Sequence, residues 1–222
     1  MNKEKVLGFD VCTESPKEML ENIFKSYKKQ EQLFIVNMNP EIIIANYNNE
    51  KFKEILNEQK YQIPDGTGIV WASKKNKGNI KQRITGIDLM IDICEKSQGY
   101  NARIFLYGSK PGISTLAKEN LKNKFPKINI VGECNGYCDE KEVIYKIIES
   151  NADIVFVGIG SPKQENFIIE NKEKFIDFGE IDFHSIINFK QDEKLITNCS
   201  INLMQSGFSR RAWCELPKDT YK

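Results

Sequence analysis

Apolar residues recur along the chain in short unbroken runs, separated by longer stretches in which they return at helical spacing. Leu33-Phe34-Ile35-Val36, Ile104-Phe105-Leu106-Tyr107 and Ile154-Val155-Phe156-Val157 have the length and continuity of strands buried on both faces, and Ile128-Asn129-Ile130-Val131 reads as a further strand. Between and around them, Met19, Leu20, Ile23, Phe24 and Tyr27 line one face of a helix, as do Ile87, Met90, Ile91 and Cys94, and Val143, Ile144, Ile147 and Ile148. Ile42, Ile43, Asn46, Phe52 and Leu56 read as one further helix, and residues 113–125 as another. Strands that alternate with helices predict βαβ units joined by right-handed crossovers. The expected fold class is α/β, a Rossmann-like, mostly parallel sheet flanked by helices, with a small C-terminal appendage.

Local signals sharpen some boundaries. Ser15-Pro16-Lys17-Glu18 combines an N-cap, a proline at the first helical position and the glutamate of a capping box. Val6-Leu7-Gly8-Phe9 reads as a short strand, Tyr61-Gln62-Ile63 as an extended piece stopping at Pro64-Asp65-Gly66, and residues 69–75 as helical. Past Phe175 the pattern weakens: Phe178-Gly179-Glu180-Ile181-Asp182-Phe183 has the look of an edge strand, and Leu195 to Met204 that of a poorly patterned helix. The expected division is a Rossmann-like domain over residues 1–177 and a divergent appendage over 178–222.

Composition narrows the classes. The chain has 222 residues, 40% hydrophobic and 28% charged, with a formal net charge of +1. That is enough for one sizeable core, too apolar for a disordered chain, and without the global basic field of a nucleic-acid binder. No stretch approaches the ~20 apolar residues of a membrane span, and Met1-Asn2-Lys3-Glu4-Lys5 lacks a signal-peptide core, so a cytoplasmic protein is expected. The six cysteines are scattered apart from Cys134 and Cys138, with no histidine near that pair, and reduced thiols are the expectation.

Two strand–turn–helix units carry glycines at the turn: Tyr107-Gly108-Ser109-Lys110-Pro111-Gly112, and Gly158-Ile159-Gly160-Ser161-Pro162-Lys163-Gln164-Glu165. Each offers backbone N–H groups and a helix N-terminus to a diphosphate, and each is also what a parallel α/β sheet needs for a tight turn. Neither has the Gly-Lys-Ser/Thr of a Walker loop or the full glycine spacing of dinucleotide folds. Gln164 is either a ligand contact or the closing member of a capping box on Ser161. Asp65, between Pro64 and Gly66, is either a turn former or a general base facing a cleft, and Arg83 either a solvated charge or a phosphate partner. His184 is the only histidine and has no partner sequence around it, so histidine-based catalysis is rejected. No Asp-x-Asp motif is present, which disfavours the divalent-metal clamp of many sugar transferases.

Taken in order, these residues resemble the WecG/TagA/CpsF-type bacterial glycosyltransferases, which join N-acetylmannosamine to lipid-linked N-acetylglucosamine. The matching blocks are Asn39-Pro40, Ile63-Pro64-Asp65-Gly66-Thr67-Gly68 with Trp71-Ala72-Ser73, Arg83-Ile84-Thr85-Gly86-Ile87-Asp88-Leu89, Phe105-Leu106-Tyr107-Gly108 with Lys110-Pro111-Gly112, Gly136-Tyr137, and Gly158 to Glu165. The resemblance implies inverting, metal-independent transfer from a UDP-sugar to an undecaprenyl-diphosphate-linked sugar in teichoic-acid or capsule-type synthesis, with no cofactor. It implies Asp65 as the base and Arg83 as the stabiliser of diphosphate charge. Asn37, Asn39, Thr67 and Gln164 would orient the sugar, and Gly108, Lys110, Gly112, Gly136, Tyr137, Gly158 and Gly160 would hold the nucleotide. It further implies peripheral attachment to the inner face of the cytoplasmic membrane, no nucleic-acid partner, and a homo-oligomer as one option. The chain departs from the family in carrying Asn37 where a threonine is usual, and in lacking the basic Arg-Ala-Pro-Lys segment after the last Gly-rich block. The alternative, from another class, is a catalytically weak nucleotide-sugar-binding paralogue with a regulatory or scaffold role. A Rossmann oxidoreductase would instead bind a nicotinamide cofactor.

Overall fold

The computed structural model describes residues 2–171, 174, 175 and 185–188. Six parallel strands form the central sheet: β3 (Phe34–Met38), β4 (Tyr61–Pro64), β5 (Arg103–Gly108), β6 (Asn129–Cys134), β7 (Ile154–Gly158) and β8 (Ser185–Asn188), in the order β4-β3-β8-β7-β5-β6. A separate antiparallel hairpin, β1 (Lys3–Val6) and β2 (Phe9–Cys12), lies beside β4. The helices are α1 (Pro16–Lys28), α2 (Pro40–Ala45), α3 (Glu50–Asn57), α4 (Thr67–Lys75), α5 (Gly86–Ser97), α6 (Ile113–Lys124), α7 (Glu140–Glu149) and α8 (Lys163–Asn171).

The two-residue period of the strands divides the core between the sheet's faces. Ile104 and Leu106 of β5 and Ile154 and Phe156 of β7 join Met19, Ile23, Met90 and Leu121 of α1, α5 and α6. The intervening Phe105, Tyr107, Val155 and Val157 join Val143 and Ile147 of α7 and Phe167 of α8. On that second face Val36 and Met38 of β3 meet the hairpin and α2, α3 and α4 through Val6, Phe9, Ile42, Phe52 and Ile69. Burial on both faces is what the unbroken apolar runs required, and the α/β class and the flanking helices are as expected.

Two local expectations change. Val6-Leu7-Gly8-Phe9 is the corner of a hairpin: Val6 pairs with Phe9, and Leu7 and Gly8 take φ of 50° and 91°, the twist that a two-residue turn needs. The single helix expected through Ile42 and Leu56 is two helices. Asn46 ends α2, and the Asn49 side chain accepts the Phe52 N–H at 3.1 Å to start α3. The capping box at α1 is present as read, with Ser15 N donating to Glu18 Oε2 at 2.9 Å.

Ser185–Asn188, within the stretch read as an appendage, pairs with both β3 and β7 in the middle of the sheet. The edge strand expected at Phe178–Phe183, the helix expected over Leu195–Met204, and His184 lie outside the described residues.

Candidate active site

The carboxyl ends of the parallel strands all open onto one edge of the sheet, and the expected site residues fall there. β3 ends at Met38, whose carbonyl accepts the Asp65 N–H at 2.8 Å, so the loops after β3 and β4 leave the sheet together. Gly66 and Gly68 let α4 begin against α2. A Cβ on Gly66 would stand 3.0 Å from Pro40 Cδ, and one on Gly68 2.7 Å from Pro40 Cγ. Gly66 also has φ of 125°, a region that side chains rarely adopt.

Asp65 is buried at the floor of this corner. Its Oδ1 accepts from Arg83 Nε at 3.2 Å and lies 3.1 Å from Arg83 Nη2, while Oδ2 accepts the Gly86 N–H at 3.4 Å, at the start of α5. The Ile84 N–H donates to the Pro64 carbonyl at 2.9 Å, which ties the Arg83 loop to the end of β4. Two residues 18 apart in sequence are thus held as an ion pair at the carboxyl edge of the sheet.

The other residues expected near the sugar have distinct settings. Asn39 caps α2, its Oδ1 accepting the Ile42 N–H at 2.9 Å. Thr67 is exposed in the first turn of α4. Asn37 is fully buried behind Gly86, and neither amide atom has a hydrogen-bond partner. A Cβ on Gly86 would stand 1.9 Å from Asn37 Nδ2. Gln164 is also fully buried. Its Oε1 accepts the Gly160 N–H at 3.1 Å, and its Nε2 donates to Glu165 Oε1 at 3.2 Å. The side chain therefore braces the turn at Gly160, one residue before the capping position on Ser161.

The glycine turns meet one another. Gly108, with φ of 146°, lies flat against Gly158, where a Cβ would come within 2.4 Å of the Gly158 carbonyl oxygen. Ser109 N donates to that carbonyl at 3.1 Å, and the Ser109 carbonyl accepts the Gly136 N–H at 2.7 Å. Gly112 and Gly160 have positive φ and open space where a side chain would project, and Tyr137, next to Gly136, stands 66% exposed. Beneath, Tyr107, Ser109, Ser114, Ala117 and Phe156 help to line an apolar cavity of about 30 Å³. Burial, and then Glu140, push the Tyr107 hydroxyl up to about 12, so its ring contributes no charge here near neutral pH.

Three groups went unread in the sequence. The Ser109 hydroxyl is buried without a partner, Asn135 Oδ1 accepts the Tyr137 N–H at 2.9 Å, and Glu133 of β6 accepts from the hydroxyls of Ser114 and Thr115 at the start of α6. Only Asn135, next to Gly136-Tyr137, had any local signal, as a turn former. The others depend on strand neighbours distant in sequence.

The edge therefore carries an acid–arginine corner at β4 and a glycine cradle at β7 and β5. β4 and β7 are three places apart in the sheet. At ~4.8 Å per strand they are separated by about 14 Å. Among the described residues no cluster of three or more His, Cys, Asp or Glu side chains is placed to hold a metal ion.

A sequence profile described as the glycosyl transferase WecG/TagA/CpsF family matches residues 4–181. An N-acetylglucosaminyldiphosphoundecaprenol N-acetyl-beta-D-mannosaminyltransferase of Staphylococcus aureus (strain MRSA252) is 34% identical over 177 residues, which cover 78% of this chain and 69% of the relative. A protein of the same name from Staphylococcus aureus (strain NCTC 8325 / PS 47) is 33% identical over the same shares.

Proposed function

The chain belongs to the glycosyl transferase WecG/TagA/CpsF family and is a glycosyltransferase, and from that premise we propose that it transfers N-acetylmannosamine from UDP to N-acetylglucosamine carried on undecaprenyl diphosphate. The observation that carries this reading is the spacing of the Asp65–Arg83 corner from the glycine cradle, which fits a donor laid along the edge with its sugar at Asp65. The relatives' printed name supplies the acceptor class.

In this reading the amides of the Gly108 and Gly158 turns and the start of α6 hold the nucleotide, with Lys110 beside them, the Gly136 turn bonded back onto Ser109, and the exposed Tyr137 ring after it as a stacking face. Arg83 lies between the Asp65 carboxylate and solvent, with 37% of its side chain exposed against 4% for Asp65. A donor diphosphate arriving at the corner competes with Asp65 for the guanidinium. Once Arg83 turns to the phosphates, Oδ1 accepts the proton of the acceptor hydroxyl. The new anomeric C–O bond forms as the bond to UDP breaks, and the leaving charge falls on Arg83 and the backbone dipoles. Attack from the face opposite UDP inverts the anomeric centre. The charges needed are all protein groups, so the step runs without a metal. Asn37 and Gln164 act here as supports of the floor and the turn, while Asn39 and Thr67 stand nearer the sugar.

No described helix is long and apolar enough to cross a membrane, and an acceptor on a polyprenyl carrier requires the site to work peripherally at the bilayer. The test is incubation with a panel of UDP-sugars and a short-chain lipid acceptor, with and without EDTA, reading UDP release and product mass. Turnover with UDP-N-acetylmannosamine that survives EDTA and falls ~10²–10⁴-fold in Asp65→Asn is expected. Equal slow rates for the wild type and Asp65→Ala at saturating donor would remove the transferase reading.

A further inference from the structure

Four of the six large apolar side chains exposed among the described residues, Leu7, Ile44, Tyr47 and Trp71, project from elements that share one core cluster: the hairpin, α2, the turn after it, and α4. Gly8 packs on the Lys53 side chain, Lys53 Nζ stands 5.0 Å from the Tyr47 ring centre, and Pro40 of α2 touches Gly68 of α4. Trp71 is 63% exposed on α4, with Lys75 Nζ 5.6 Å from its ring.

The ten residues from Lys74 to Arg83 contain Lys74, Lys75, Lys77, Lys81 and Arg83 and no acid. The whole chain sums to only +1, so the remainder sums to −4 (1 − 5) and this basic run is a local feature. Lys74, Lys75, Lys77 and Lys81 are all exposed; against the run stand Glu4, which accepts the Asn79 N–H, and Asp65, on Arg83 at its end.

We infer that the outer face of α4 and the basic run after it, Trp71 to Lys81, is a docking surface for an anionic lipid bilayer. An exposed tryptophan beside lysines and isolated aliphatic side chains is the mixture that sits at headgroup depth, with the ring in the interface and the cations on the phosphates. Nucleic acid would match the charge but has no use for exposed Ile44 and Leu7. The position is also apt. α4 begins two residues after Asp65, and the run ends at Arg83, the cation on Asp65. Docking by this face sets the mouth of the acid–arginine corner against the membrane. That consequence rests on the proposed lipid-linked acceptor, whereas the docking itself does not.

The test uses the full chain with Trp213→Phe, so that Trp71 is the single tryptophan, and vesicles of phosphatidylcholine alone or mixed with phosphatidylglycerol. Flotation with the mixed vesicles only, weakened by salt, and quenching of Trp71 by brominated lipid are expected. The triple variant Lys74→Glu/Lys75→Glu/Lys77→Glu should lose about a hundredfold or more in vesicle affinity, the scale three basic residues carry at such a surface. It should keep wild-type turnover on a water-soluble short-chain acceptor, and the Lys→Gln triple should fall between the two. Undiminished vesicle binding by the charge-reversed chain, an unquenched Trp71, or preference for single-stranded nucleic acid over the vesicles overturns the proposal. A chain that docks as expected but transfers nothing to the soluble acceptor leaves the surface standing and removes the transferase reading instead.

Discussion

Arg83 reaches Asp65 through two nitrogens, Nε at 3.2 Å and Nη2 at 3.1 Å, and both converge on the same carboxylate oxygen. The pair is asymmetric in its setting, the carboxylate buried and the guanidinium half out of the protein. Removing the cation therefore leaves a buried charge without its ion-pair partner, whereas removing the carboxylate leaves a cation that water can reach. Arg83→Ala is expected to cost about 1–3 kcal/mol in urea denaturation, below the 3–5 of a fully buried pair because Arg83 is solvated. Asp65→Asn should cost less stability and more turnover. Equal stability losses for the two variants would show that the asymmetry has no energetic consequence.

The contact between Gly86 and Asn37 makes a sharper test of the floor under Asp65. Gly86→Ala places a methyl where Asn37 Nδ2 now lies, and α5 must shift to accept it. We expect a loss of about 1–3 kcal/mol with reduced activity, since the Gly86 N–H is a donor to Asp65. Asn37→Ala removes both the obstacle and two unpartnered buried polar atoms. The double variant should then be more stable than Gly86→Ala alone, with a coupling of about 0.5–3 kcal/mol in a double-mutant cycle. Additive effects would mean that the two residues do not share the space.

Much of this architecture was legible in the chain, for a physical reason. Strands buried on both faces and helices with one apolar face write their periods locally, so β5, β7, α1 and α5 could be read from short windows. The turn at Pro64-Asp65-Gly66 was also readable, because the residues that shape it are adjacent to one another. What stayed hidden depends on neighbours far away in sequence. Nothing near Ser185–Asn188 says that it enters the sheet between β3 and β7, and nothing near Gly86 names Asn37 as the group that forbids a side chain there. The hairpin corner was misread because Val6 and Phe9 are apolar on either side of the turn. Their alternation resembles a strand until the positive φ of Leu7 and Gly8 is seen.

A second half-buried ion pair serves as a control for the first. Arg103 Nη2 lies 2.6 Å from Asp153 Oδ1, its Nε donates to Oδ2 at 3.1 Å, and its backbone N–H donates to Oδ2 at 2.7 Å. This pair ties the amino end of β5 to the residue before β7, at the edge of the sheet opposite the glycine cradle. Asp153→Ala should cost about 2–4 kcal/mol, since it strips a buried two-point acceptor from both the side chain and the backbone of Arg103. The affinity for UDP, measured by calorimetry below the melting range, should not change. A fall in UDP affinity without loss of stability would reverse the assignment.

The acid limb of stability has an identifiable contributor in Glu31. Lys60 Nζ donates to Glu31 Oε2 at 2.7 Å and Ser26 Oγ to the same oxygen at 2.7 Å, and Lys60 also reaches Ser26 Oγ at 3.0 Å. These partners, Lys60 first and Ser26 second, hold the carboxyl down at about 2 from its ordinary 4.5. A carboxyl depressed in the folded state binds its proton more readily when the chain unfolds, so the stabilisation is complete above the unfolded value and is lost as pH falls through the folded one. The urea midpoint of the wild type should therefore exceed that of Glu31→Gln by its full margin above about 4.5, by a shrinking margin below that, and by nothing below about 2. Salt should reduce the margin at neutral pH, because the Lys60 partner is solvent-exposed and screened. Glu31→Gln keeps the side-chain length, so a difference that does not vary with pH would place its origin in packing and not in the charge shared with Lys60.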